Sequence, residues 1–465
     1  MKIYNTLTKK IEEFIPNEEG KVKLYTCGPT VYHFAHIGNL RSYICEDVLE
    51  KYLKYSGYEV ERVMNITDVG HLTGDSDTGT DKMVNSAKRE HKSVLDIAKF
   101  YTDKFFQDAS KLNISKPSVI VPATSMIDDY IKIIKKLMED DFAYLSGGNV
   151  YFDTSKVDNY YALTNQKVDD LIDGARSDVE RDDNKKNKAD FALWFTKSKF
   201  DDQELKWASP WGLGYPGWHI ECSAISMKYL GEHLDIHCGG VDNIFPHHTN
   251  EIAQSESYLG HKWCNYWFHV EHLNDLNGKM SKSKGDFLTV DTLIEKGYHP
   301  LSYRYMVLAS HYAKPLIFTY ENLDGAEKAY LKLKSRIQKL DKMKDNLSIE
   351  YQYYKDKFKE AMDNNLNTSL ALTCVYDVLK SEMNDYTKYQ LISEFDEVLS
   401  LDLTKEEKKE MHNINEEEIQ KLIDERNQAK QNKDFEKADM IRNHLMEQGI
   451  MLKDTREGTI YEITK

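Results

Sequence analysis

The chain has 465 residues, 40% hydrophobic and 30% charged, which suits a soluble globular protein with material for a sizeable core. No apolar run of about 18 residues marks a membrane span, and the N-terminus lacks the continuous apolar stretch of a secretory signal, so a cytoplasmic protein is expected. Lys plus Arg number 62 against 77 Asp plus Glu, and the net charge of −15 argues mildly against a nucleic-acid partner, although one basic face on an acidic protein suffices for that role.

Taken in chain order, Val22 to Cys27 reads as a short strand and Gly28-Pro29 as a turn. Leu40, Ile44, Val48, Tyr52 and Tyr55 then recur at helical spacing, with Gly57 as the stop. Tyr58 to Met64 is the next strand, so this segment is a β-α-β unit, half of a parallel nucleotide-binding sheet. A second unit follows much later: strand Leu234 to Cys238, Gly239-Gly240, helix Pro246 to Leu259 ended by Gly260, and strand Tyr266 to Val270. Two halves of one sheet parted by a long insertion predict a split Rossmann-like α/β domain, the insertion carrying a polar charge run, residues 176–188, read as a solvated loop. From Leu323 onward the chain is rich in Lys, Glu and Leu at helical spacing, which predicts an all-α bundle. Residues 413–448 read as two helices split near Asp434, and residues 451–461 as a hairpin turning at Glu457-Gly458. The predicted segments are 1–112 and 216–300 for the two halves of the sheet domain, 113–215 for the insertion, 301–405 for the bundle, and 406–465 for a small C-terminal domain.

Six cysteines, Cys27, Cys45, Cys222, Cys238, Cys264 and Cys374, are scattered without a CxxC pair. In a large intracellular chain they are not a disulfide framework, and each alone reads as a small buried hydrophobe.

Two short motifs carry chemistry. His36-Ile37-Gly38-Asn39 sits at a strand-to-helix junction, where unpaired amides favour anions and Gly38 lets a ligand approach the backbone. His36 and Asn39, three apart, share one side of the first turn, but the tetrapeptide alone fits a plain capping residue as well as a phosphate site. Lys279 to Ser283, inside GKMSKSKG, concentrates positive charge between Gly278 and Gly285, which suits the charge that develops when a triphosphate is attacked. A Lys/Ser loop by itself is more often a solvated turn. The two motifs in this order, one on each half of the sheet, are far more specific than either.

Together with CGPTVYHFAHIGN (27–39), NITD (65–68), PGWHIECS (216–223), GGVDNIFPHHTNE (239–251) and KADMIRNHL (437–445), they make the chain resemble the cysteinyl-tRNA synthetase family of class I aminoacyl-tRNA synthetases over nearly its whole length. The resemblance implies an enzyme that activates L-cysteine with ATP and Mg²⁺ and loads tRNA(Cys), working as a monomer. It implies that the bundle includes a stem-contact segment and that residues 406–465 bind the anticodon. His36, Gly38, Asn39, Lys279 and Lys282 then bind ATP and, Gly38 aside, are catalytic. Cys27, Cys222, His247 and Glu251 match the family's ligands for one Zn²⁺. Of these, His247 and Glu251 lie at i and i+4 on one helix face, whereas spacing alone would leave two core cysteines and a solvated helix face. Thr67, Trp218, His237 and Asp242 are the implied contacts of the amino acid, Trp218 reading equally as a core aromatic. His248 is expected to point elsewhere on the helix, either behind the ligands or into the core.

Thiolate is a good soft ligand and a hydroxyl a poor one, so such a metal would separate cysteine from serine better than the about 1–3 kcal/mol that a methylene-scale difference gives. No editing domain is assigned. Lys421, Arg426, Lys430, Lys433, Lys437 and Arg442 are the cations for a tRNA-facing surface, against the commoner fate of a solvated helix face. Two departures from the family pattern stand out: Asn39 replaces a second His but keeps a donor, and Tyr215 stands where Arg is usual. The stretch TGDSDTGTD (73–81) has no assigned role. Two rival readings remain. A relative that passes cysteine to an amino-sugar would lack the long C-terminal tail, and a non-catalytic descendant would not need both motifs and four ligands.

Overall fold

The computed structural model describes residues 1–69, 93–164, 183–197, 204–275, 278–279, 288–406, 416–431, 434, 437–438, 441–442, 445, 450–455 and 458–463. A hairpin of β1 (Lys2–Asn5) and β2 (Lys10–Glu13) opens the chain. The first half of the main sheet follows as β3 (Lys21–Thr26), α1 (Ile37–Tyr55), β4 (Glu59–Ile66), α2 (Val94–Lys111) and β5 (Val119–Pro122). In α1, Ile37, Leu40, Ile44, Val48, Leu49, Tyr52 and Leu53 are all buried. Each such side chain stabilises by about 1.5–3 kcal/mol when taken out of water, so this face holds the helix on the sheet. The chain leaves it at Gly57, whose φ of +96° is open to glycine.

The insertion adds α3 (Ile127–Glu139) and an antiparallel sheet of β6 (Ala143–Ser146), β7 (Asn149–Phe152), β8 (Phe191–Phe195), β9 (Trp207–Ser209) and β10 (Gly212–Pro216), in the order β6-β7-β8-β10-β9. The second half of the main sheet comprises α4 (Trp218–Leu230), β11 (Leu234–Gly240), α5 (Thr249–Leu259) and β12 (Cys264–Val270). The five main strands run parallel in the order β12-β11-β3-β4-β5. One finding departs from the sequence-based segments: Val119–Pro122, inside the expected insertion, pairs with β4 as the edge strand. Four residues ending in proline give too short a pattern to read as a strand, and an edge is where proline is tolerated. Tyr215, noted for replacing Arg, is buried and stacks on Phe195 at 5.1 Å.

The halves meet at β3 and β11, where Ile236, His237 and Cys238 pair with Leu24, Tyr25 and Thr26. Apolar clusters cover both faces, one with α1 and the later helices, the other with α3, α4 and the insertion sheet. The carboxyl ends of the strands therefore open on one crevice, where ligands bind in open parallel sheets. Beyond β12 come β13 (Leu273–Asp275), β14 (Gly278–Lys279), α6 (Val290–Glu295), α7 (Pro300–Leu308) and β15 (Leu316–Ile317), the strands forming a small sheet with β13 at its centre. The bundle is α8 (Tyr320–Gln338), α9 (Tyr351–Asp363), α10 (Thr368–Lys380) and α11 (Asp385–Leu399). Buried Arg304 ties α7 to the rest, donating to Asp47 at 2.7 Å and to the carbonyls of Leu112 and Leu399.

The chain divides into Met1–Thr404 and Lys405–Lys465. The smaller unit contains α12 (Glu416–Gln431) and a hairpin of β16 (Ile450–Thr455) and β17 (Gly458–Ile463), around a core of Ile419, Ile423, Ile441, Leu445 and Ile450. Lys421, Lys437 and Arg442 are exposed there. Arg426, expected among the surface cations, is instead 3% exposed with Nη1 at 3.5 Å from Thr459 Oγ1, so it links α12 to the hairpin. Among the described residues no helix is long and apolar enough to cross a membrane.

Candidate active site and metal centre

Cys27 follows β3, and its amide donates to the carbonyl of Cys238 on the neighbouring strand. The next residue has to be glycine: a Cβ on Gly28 would lie 1.6 Å from the Asn65 carbonyl oxygen. The Asn65 side chain fixes this turn. Its Oδ1 accepts from the Gly28 amide at 2.7 Å and from the Tyr25 hydroxyl, while its Nδ2 donates to Thr67 Oγ1. Cys222 lies one turn into α4, and His247 and Glu251 approach from the start of α5.

These four side chains converge. Cys27 Sγ lies 3.8 Å from Cys222 Sγ, Cys222 Sγ 3.5 Å from His247 Nε2, and His247 Nε2 3.0 Å from Glu251 Oε1. One donor atom from each lies within 4.8 Å of the others. A tetrahedral shell with bonds of about 2.0–2.3 Å has ligand-to-ligand edges of about 3.3–3.8 Å, so the two distances from Cys222 fall on that scale and the His247–Glu251 distance is shorter. Among the described residues Glu251 Oε1, buried and 3.0 Å from His247 Nε2, makes no hydrogen bond of good geometry, as a carboxylate oxygen aimed at a cation would not. The donor chemistry, two thiols, one imidazole and one carboxylate, also fits Zn²⁺.

The electrostatics favour charge at this point. Burial works against the Cys222 thiolate, but hydrogen bonds from Cys27 and His247 outweigh it and hold that thiol below its usual range. Burial, with the hydrogen bond to Cys222, pushes the Cys27 thiol well up. Burial disfavours the His247 cation, yet Glu251 and Cys222 push its pKa up to about 10. Burial also opposes ionised Glu251, and its two imidazole neighbours, His237 and His247, reverse that and keep it low.

A second layer supports these four, and of its members only His248 was expected behind the ligands or in the core. His219 Nδ1 lies 2.8 Å from His247 Nδ1, and His237 Nε2 lies 2.8 Å from Glu251 Oε2. His237 was expected to contact the amino acid; it is fully buried, stacked on Trp267, and serves Glu251 instead. His248 has its Nε2 3.2 Å from Cys27 Sγ, and with Cys27, His237 and Glu251 it makes a second, overlapping donor group. The chain is kinked here, with extended backbone at Phe245 before His247 and His248, whose ring centroids lie 5.7 Å apart in the same cluster. His269 continues the chain, 2.8 Å from His248 and 2.7 Å from Thr6 Oγ1. The sequence did hold a signal for His219, which stands three residues before Cys222 on the same helix and therefore shares its face.

Of the other expected contacts, Trp218 places its ring 4.6 Å from that of His247, beside the donor set. Asp242 is half-exposed on the turn after β11, with Oδ1 3.5 Å from His272 Nε2. Thr67 is buried, and its hydroxyl donates to Glu221 at 2.8 Å, so it frames the pocket wall.

The first phosphate motif opens α1. His36 is the helix cap, its Nδ1 accepting from the Asn39 amide at 3.2 Å. Capping and phosphate binding are therefore compatible, because a neutral ring that accepts at Nδ1 carries its proton on Nε2. Asn39 is exposed. A Cβ on Gly38 would lie 2.9 Å from the His36 ring, so only glycine leaves that ring its place. On the other half of the sheet, Lys279 is in β14, paired with Asn274. Lys282 lies outside the described residues, as do Lys433 and the stretch 73–81.

Residues 13–328 match the model of the tRNA synthetase class I (C) catalytic domain. The cysteine–tRNA ligase of Treponema denticola is 46% identical over 490 aligned residues, covering 99% of each chain. That of Borrelia garinii is 45% identical over 99% of this chain and 98% of its own, and that of Zymomonas mobilis 38% over 97% and 95%. Among solved structures, methionyl-tRNA synthetase of Mycobacterium tuberculosis bound by methionyl-adenylate shares the fold, with a TM-score of 0.54 at 13% identity, covering 82% of this chain and 90% of that one.

Proposed function

The chain belongs to the class I cysteine–tRNA ligase family, and from that premise we propose that it activates L-cysteine with ATP and transfers it to tRNA(Cys). The observation that carries the reading is the convergence of Cys27, Cys222, His247 and Glu251, one donor atom from each within 4.8 Å of the others, in a chain that also has His36 and Asn39 at the start of α1. Zinc held by these four supplies a soft Lewis acid for which a thiolate is a good ligand and a serine hydroxyl a poor one. Trp218, in ring contact with His247, closes the apolar side of that pocket. Asp242, at the mouth, offers a carboxylate to the substrate's ammonium group.

In the first step the cysteine carboxylate attacks the α-phosphorus of Mg²⁺-ATP. A carboxyl O–P bond forms, the bond to the bridging oxygen breaks, and pyrophosphate leaves with that electron pair. No enzyme nucleophile is needed, so catalysis is positioning and charge stabilisation. His36 through Nε2–H and Asn39 through its amide hold phosphate oxygens at the helix N-terminus. Lys279 and Lys282 offset the charge that grows on the departing pyrophosphate. In the second step a terminal ribose hydroxyl of tRNA attacks the activated carbonyl and AMP departs. Residues 406–465 grip the tRNA through Lys421, Lys437 and Arg442. The protein works as a cytoplasmic monomer, where charged tRNA is consumed.

Cysteine-dependent ATP–pyrophosphate exchange tests this, run with cysteine and serine in parallel on protein of measured zinc content. Exchange with cysteine alone and about one zinc per chain is the expected result. Metal-free protein that still rejects serine would sink the thiol-sorting proposal.

A further inference from the structure

Arg41 stands two residues beyond the HIGN motif, on the first turns of α1, and is 1% exposed. Among the described residues its hydrogen bonds all go to main-chain carbonyls. Nη1 donates to Glu271 at 2.7 Å and to His272, and Nη2 to Lys314 at 2.5 Å and to His311 at 3.4 Å. The first pair lies on the approach to β13, the second on the approach to β15. These strands are neighbours, joined by the Leu316 amide on the His272 carbonyl and the Phe318 amide on that of Asn274. The other neighbour of β13 is β14, which carries Lys279.

Both flanks of the lysine-bearing segment are thus held by the opening of one helix. Arg41 binds the main chain before it, and the Ile37 amide donates to the Leu288 carbonyl after it at 2.9 Å. Gly38 adds a close approach, since a Cβ there would sit 3.7 Å from that of Leu273. A guanidinium is suited to this place. Its planar fork reaches carbonyls on two chain segments at once, whereas an ammonium presents its three protons from a single point. A cation buried this deeply needs such bonds, and they fix its geometry in turn.

We propose that Arg41 is a positioning residue for adenylate formation: by holding the carbonyls at 271, 272, 311 and 314, it sets the strand that carries Lys279 at a fixed distance from His36 and Asn39. The proposal rests on the synthetase reading above. It assigns Arg41 no contact with substrate. Its effect passes through Lys279, whose work lies in the transition state rather than in substrate binding.

The test compares full-length wild-type protein with Arg41→Lys and Arg41→Gln, measuring cysteine-dependent exchange, zinc content and the fraction of active sites by single-turnover adenylate formation. A misplacement of order 1 Å costs about 100-fold in rate, so kcat per active site should fall about 10- to 100-fold, Arg41→Lys less than Arg41→Gln. KM for cysteine should stay within about twofold and zinc content unchanged, the pattern of an interaction made only in the transition state. Arg304→Lys is the control. That arginine is equally buried and also binds carbonyls, those of Leu112, Asn113 and Leu399, with Asp47 on α1, and none of these is in the lysine-bearing strand or its neighbours, so the variant should lose stability and keep kcat per active site. Activity that falls only in step with the active-site titre, up to complete misfolding, assigns Arg41 to the fold alone and overturns the proposal, as does an unchanged kcat. If wild-type protein shows no exchange with cysteine, the functional reading fails first.

Discussion

His237 reaches from β11 to place Nε2 2.8 Å from Oε2 of Glu251 on α5, and neither side chain is exposed to solvent. The carboxylate is thereby oriented, with Oε1 left facing the His247 nitrogen and the two thiols. Partners of this kind tune a ligand's direction and basicity, and their loss costs about 10- to 100-fold in metal affinity. His237→Phe should weaken zinc binding by that factor in a chelator competition, with the fold intact by circular dichroism. Unchanged affinity would show that Glu251 needs no such support.

Cys222→Ala removes a donor rather than its support. Zinc affinity should fall beyond the about 100-fold ascribed to outer partners, and KM for cysteine should rise while exchange at saturating cysteine suffers less. Metal analysis and exchange kinetics on one preparation check both. Full zinc occupancy in the variant would remove Cys222 from the donor set.

Gly38→Ala puts a methyl group where the His36 ring lies. The ring must rotate, which breaks the cap on the Asn39 amide and displaces Nε2 from the phosphate position. Loss of the cap costs about 1 kcal/mol of stability. The rate of exchange should fall well beyond what that accounts for, with zinc content unaffected. A variant as fast as wild type would exclude His36 from phosphate binding.

Glu46 on α1 is buried, and among the described residues its Oε2 has no hydrogen-bond partner. Burial raises its pKa from 4.5 to about 8, partly countered by Arg62. The folded state therefore binds this proton more tightly than the unfolded state does. Its contribution to stability is present in full below pH 4.5 and is lost as the pH rises toward 8. Glu46→Gln should remove the dependence, stabilising the protein by about 4 kcal/mol at pH 8 and by under about 1 kcal/mol at pH 5. Thermal melts of both proteins across that range would show converging curves at the acidic end. A constant offset would contradict the assignment.

Motifs whose meaning lies within a few residues were legible in the chain itself. The apolar period of α1, its stop at Gly57, and the strands on either side follow from local patterning. The hairpin of β16 and β17 was equally local. Cys27 and Cys222 were different: nothing between them sets their distance, and only the family resemblance joined them ahead of the coordinates. Most of the second layer was missed because its members come from separate elements, α4, β11 and β12, whose meeting no local pattern records; only His248 was expected behind the ligands or in the core. Arg41 was hidden because its partners are carbonyls, which leave no trace in residue identity. Arg426 misled because a cation on a helix face reads as solvated until a hairpin packs over it.

The central pair of the main sheet joins β3, which ends at Thr26, to β11, which begins at Leu234. A ribosome adding about 5–20 residues per second exposes the earlier strand for about 10–40 s before its neighbour exists. During that interval α1 and β4 can already cover β3, but the edge that β11 will occupy, a row of main-chain donors and acceptors, has nothing native to pair with. The nascent enzyme is therefore a natural client for a holdase until roughly half of the message has been read. Slowing translation between these strands, or depriving the cell of chaperones, should lower soluble yield without touching the finished catalyst.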